Sequence, residues 1–134
     1  MISSDSTKVW KLAKRFNDGH RMNMGDCFLA FRMIFSSDKS MRDNNKDNIN
    51  CGKSIEGNWE ITENEIGHYI KVNSPIIPEV LNTKDTFKYF KIISLSDSLM
   101  VLEFRHKQFS NKTTTIVDHF VPEEVDVKGR EFHY

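Results

Sequence analysis

Two cysteines, three prolines and six glycines among 134 residues leave little room for several classes of protein. No C-x-x-C pair is present, so nothing points to a zinc or redox centre built from thiols. Lys+Arg and Asp+Glu both number 19, for a formal net charge of zero. A nucleic-acid-binding module would carry a basic excess or face, and an electrostatic membrane tether would need a polybasic cluster. No apolar run approaches the ~20 residues that span a bilayer, so no transmembrane segment is expected. Residues 1–7 are polar and lack the apolar core of an export signal. Either the chain stays in the cytoplasm, or residue 1 follows a removed export segment and the protein works in the periplasm or cell envelope.

Catalytic signatures are equally sparse. There is no G-x-S-x-G, and the serines cluster in turns. Cys51-Gly52-Lys53-Ser54 keeps only the end of a phosphate-binding loop. Glu63, Glu65 and Glu103 lie on turns or polar faces and read as solvated. His106 and His119 fall on neighbouring expected strands, but two ligands do not make a zinc site. The expectation is a non-catalytic protein with no cofactor and no metal.

Phenylalanine, by contrast, is frequent at 10 residues, and this chain is long enough to bury a core as one domain. Residues 57–62 alternate as a strand, 63–64 turn, and 65–72 return. Residues 86–95 and 99–107 form a second hairpin, and 113–120 add a strand after a turn at 110–112. Earlier, 8–16 fits two patterns: a helical face of Val9, Leu12, Ala13 and Phe16, or an alternation of Trp10, Leu12 and Phe16 interrupted by Lys14. Asn17-Asp18-Gly19 ends that segment as a turn. Residues 27–35 read as a strand with Cys27, Leu29, Phe31, Met33 and Phe35 on one face. The polar stretch 36–50 holds a short strand at 40–42 and a mobile loop. Pro75 and Pro78 break the pattern, and Ile76, Ile77, Val80 and Leu81 suit a short helical or irregular cap near 75–82. Eight antiparallel strands result, enough to close a barrel. The domain plan is a polar lead at 1–7, a barrel at 8–124 and a tail at 125–134.

Gly57-Asn58-Trp59 is a G-x-W opening an alternating strand, echoed by Val9-Trp10-Lys11-Leu12. Glycine lets the chain turn closely into a strand, and an indole plugs a barrel end where its N–H needs one partner. One indole at each rim is expected. With the early W-x-L, two cysteines flanking a polar loop, and successive hairpins, residues 8–122 resemble small bacterial lipocalin-like domains of the calycin type. That resemblance implies an all-β, eight-stranded up-and-down barrel with a central cavity. It also makes Arg105 the candidate basic residue packed against a barrel tryptophan.

The aromatic set Phe31, Phe35, Trp59, Phe90, Phe104 and Phe120 is expected on the inner face, with His68 and Arg105 available to meet a polar group. Those rings either line a pocket or fill the barrel, and in so short a chain filling is the favoured reading. A lined pocket would hold a small hydrophobic or amphipathic ligand. A filled barrel would suit a protein-interaction subunit of a larger assembly, docking through 44–50, 75–81 or Phe132-His133-Tyr134. Cys27 and Cys51, 24 residues apart, permit a disulfide that would imply an exported protein. Two separate thiols are the alternative. Asn111-Lys112-Thr113 fits a glycosylation acceptor, and a turn asparagine explains it equally well.

Overall fold

Wherever apolar residues alternate, the chain forms strands. The computed structural model describes residues 2–3, 6–81, 83–107 and 112–132. In order they are β1 (Thr7–Asn17), β2 (His20–Arg21), β3 (Arg32–Ser36), β4 (Ser40–Asp43), β5 (Glu56–Glu63), β6 (His68–Asn73), β7 (Phe87–Leu95), β8 (Met100–Lys107) and β9 (Thr113–Pro122). Two short helices, α1 (Asp26–Ala30) and α2 (Ile77–Leu81), and a 3₁₀ turn at Asn45–Asp47 complete the described structure. Each strand pairs antiparallel with its neighbour, and β9 returns to pair with β1. β2 only extends the tip of β1 as a two-residue hairpin partner. The remaining eight strands form a closed ring in which, among the described residues, each pairs with a neighbour on both sides.

The hairpin after β1 needs left-handed backbone at both turn positions, and Asp18 (φ 49°) and Gly19 (φ 84°) supply it. The 8–16 ambiguity resolves as strand. A bulge between Leu12 and Lys14 then reverses which side chains face inward. Trp10, Leu12 and Ala13 are buried. Beyond the bulge Arg15 and Asn17 line the interior, while Phe16 stacks outside against His119.

The stretch expected as one strand over 27–35 is divided. Residues 26–30 are helix α1, and the strand begins only at Arg32. Apolar residues on both faces of that segment suit a lid packed over a barrel end as well as a buried strand. The polar 44–50 stretch is tied in place. Asn44 accepts from the Arg32 amide at 2.7 Å and donates to the Ala30 carbonyl at 2.9 Å. The expected helical cap is present as α2, with Pro78 in its first turn. The turn at 110–111, the acceptor Asn111, and the tail residues His133 and Tyr134 lie outside the described residues.

The two barrel ends differ. At one end the Ser37 amide donates to the Ser6 carbonyl, and the Lys8 ammonium donates to the Asp97 carbonyl. Both tryptophans close this same end, a correction to the expectation of one at each rim. The Trp10 ring N–H donates to the Ile2 carbonyl at 2.9 Å, and the Trp59 ring N–H to the Ser36 carbonyl at 3.0 Å. Register explains the placement: Thr7 pairs with Ser36 and Ser40 with Asn58, which brings the start of β1 and the middle of β5, where Trp59 stands, to the β3–β4 turn. Lys8 and Lys39, not Arg105, lie over the two indoles, at 4.3 and 4.2 Å. Phe35 packs edge-on to Trp59 with centroids 5.5 Å apart.

The opposite end is framed by α1, the 3₁₀ turn and α2. Cys27 of α1 is bonded to Cys51, with Cα atoms 5.4 Å apart. The bond fastens the helix to the 44–55 loop. Loss of the bond, by reduction or by Cys27→Ala/Cys51→Ala, is expected to cost about 3.5 kcal/mol, the chain-entropy value for a loop of this length. Melts with and without reductant check this; identical curves would show that the bond adds nothing.

Candidate functional site

Inward-facing residues near the α1–α2 end do not fill the barrel. They leave a cavity of about 350 Å³, within the range of small-molecule sites. The expectation of a filled barrel holds only for the tryptophan-closed half. Leu12, Met33, Met41, Leu102 and Phe120 line the apolar depth. Phe28, Phe31, Ile77, Val80 and Leu81 line it from the elements that frame the mouth, beside the Cys27–Cys51 bridge.

Of the eight side chains singled out in the sequence, Phe31, Phe90, Phe104 and Phe120 come together on this cavity. Phe90 and Phe104 meet edge to face at 5.1 Å. Phe35 and Trp59 belong to the packed end and do not reach it. His68 is corrected to the outside. It has the inward parity of Ile70 and Val72 but stands at the very start of β6. There the turn lifts it clear, 64% exposed, and it pairs with Glu63 at 3.0 Å. Arg105 is also exposed, on the outer surface of β8, because it alternates with the inward Phe104 and His106.

The polar groups of the cavity are others. Arg15 and Asp118 are directly opposed in the β1–β9 register. Nε and a terminal nitrogen of Arg15 donate to the two carboxylate oxygens at 2.6 and 2.7 Å. The Arg15 guanidinium also lies 5.0 Å from the Phe28 ring. Asp43, buried on β4, accepts the Asn45 and Ile55 amides, one on each oxygen, at 3.0 Å. Lys88 of β7 and His106 of β8 line the mouth. Sequence pattern could not point to the Arg15–Asp118 pair, since its members are 103 residues apart and the β1 bulge hides the inward parity of Arg15.

Burial lowers the pKa of Lys88 below the usual lysine range, with Asp85 acting in the opposite sense. Burial, then Arg15 and Lys88, lower that of His106 below its ordinary 6.5. Burial and then Lys14 lower that of His119, against a raising influence from Asp118. His106 and His119 do not approach a common point: His106 pairs in register with Thr114, while His119 pairs with Val101 and stacks on Phe16 outside.

Both imidazoles bind protons more weakly folded than unfolded. Their contribution to stability is therefore full above pH 6.5 and is lost as pH falls below it through their lower folded-state values. The melting temperature is expected to decline from pH 7.5 to 5.5, and the decline to flatten in His106→Gln/His119→Gln. An equally steep decline in that variant would contradict the assignment.

No curated protein matches the sequence. Among solved structures, a complex of bovine odorant binding protein with a selenium-containing odorant matches at 15% identity and a TM-score of 0.45, covering 92% of this chain and 73% of that one. Residues 7–102 match the model of the lipocalin-like domain. From the first barrel strand to the first residues of β8, the chain carries that family's sequence pattern, and it belongs to the lipocalin-like domain family.

Proposed function

We propose that this protein binds a small hydrophobic or amphipathic ligand in the barrel and catalyses no reaction. The observation that carries this reading is the 350 Å³ cavity with its apolar depth, in a family whose members typically hold such ligands. A cavity of this size forgoes packing that would otherwise stabilise the fold, and a ligand restores the lost contacts. The polar groups near the mouth do not form a catalytic set. Asp118 is engaged by Arg15 and Asp43 by two backbone amides, which leaves neither carboxylate poised as a base.

The rival reading, a solid interaction subunit docking through its tail, has less support. The interior is not solid, and Phe132 packs against the core and under the Arg21 guanidinium at 4.4 Å. The Cys27–Cys51 bridge supports work in an oxidising compartment, outside the cytoplasm. Titration with a fluorescent fatty-acid-like probe tests the function. One saturable site per chain is expected; a linear, unsaturable signal would refute it.

A further inference from the structure

The charges around the mouth are not equally satisfied. The Arg15 guanidinium is engaged by the Asp118 carboxylate, and Asp43 is held by backbone amides. Lys88 differs. Its ammonium donates to the neutral Arg105 carbonyl at 2.6 Å, and that is its one hydrogen bond among the described residues. An ammonium has three donors, so two remain for a bound molecule. The acid that acts on it, Asp85, is exposed to solvent. Lys88 and Arg15 flank the same ring, 5.9 and 6.0 Å from the centroid of Phe104. His106 shares the lining beside them. Below this cluster the wall turns to hydrocarbon at Phe90, Leu102 and Phe120.

We propose that the mouth is an anion subsite. The Lys88 ammonium, with His106 and Arg15 beside it, holds the carboxylate of a fatty-acid-like ligand whose chain lies in the apolar depth. This rests on the ligand-binding reading above and narrows it to a monoanionic amphiphile, because one cation is left without a carboxylate partner. A charge-assisted hydrogen bond in a half-buried site is stronger than a neutral one. The ordinary consequence is discrimination by head group rather than by chain.

The test uses the intact, oxidised protein at pH 7.5 with an uncharged naphthylamine dye in the cavity. Decanoate, decanol and decylamine, which share one chain and differ in head charge, are titrated as displacers. Decanoate is expected to displace the dye about tenfold more tightly than decanol, and decylamine more weakly than decanol. Lys88→Met should bring decanoate to the level of decanol while leaving decanol unchanged, which also reports an intact cavity. Lys88→Arg should keep the preference. Equal displacement by all three in the wild type would overturn the anion subsite and leave the ligand-binding reading standing. Failure of the dye to bind saturably would overturn both.

Discussion

Gly57→Ala is expected to cost about 3 kcal/mol of folding stability and to lower the melting temperature by roughly 10 °C. The reason is contact rather than backbone conformation. A Cβ on residue 57 would sit 1.9 Å from the Asn73 carbonyl oxygen and 2.9 Å from its carbonyl carbon. Those atoms belong to the end of β6, whose Asn73 pairs with Asn58. Just beyond, the Ser74 hydroxyl donates to the Glu56 carbonyl at 2.6 Å. Backbone held from both sides cannot give way as a flexible side chain would. Chemical denaturation measures the loss, and Gly25→Ala is the control, since a Cβ there meets nothing within 4 Å. A Gly57→Ala protein as stable as the Gly25→Ala protein would show that β5 and β6 do not approach so closely. The G-x-W motif thus combines two demands: a residue without a side chain where strands cross closely, and two positions later an indole that closes the barrel.

Asp118→Ala is expected to cost about 2–3 kcal/mol. Removing one partner of a fully buried ion pair costs roughly 3–5 kcal/mol. Here the Asp118 side chain is 3% exposed and that of Arg15 21%, so water reaches the stranded guanidinium and moderates the loss. Asp118→Asn keeps an acceptor and should cost less. Arg15→Met/Asp118→Leu should recover most of the stability, because the penalty comes from the orphaned charge and not from losing a net attraction. Urea unfolding of the four proteins checks this. A double variant as unstable as Asp118→Ala would contradict it.

How far these features could be seen in the sequence follows from their range. The strands over 57–62, 86–95, 99–107 and 113–120 come from alternation within single segments, and their bounds in the structure differ by a few residues at most. Phe90, Phe104 and Phe120 follow from the same local parity. Errors arise where parity breaks or an element ends. The bulge at Ala13 turns Arg15 inward and Phe16 outward, and one extra residue leaves no mark in composition. His68 keeps the right parity but stands beyond the rim. The segment over Cys27–Ala30 is apolar on every side, and periodicity alone could not separate a lid helix from a covered strand. The Arg15–Asp118 pair is a consequence of ring closure and follows only once β9 is known to meet β1. The placement of both tryptophans at one end needs the β1–β3 and β4–β5 registers, which join residues far apart in the chain.

On the ligand-binding proposal, the α1–α2 half of the barrel encloses a space that a ligand enters. Ile116, buried and opposite Phe104 in register, lines that space. The stoichiometry of the fatty-acid-like probe on the wild type and on Ile116→Trp shows whether it does. One probe per wild-type chain and none on the filled variant, with melting temperatures alike, is the predicted result; equal binding to both would place the probe elsewhere and contradict the claim.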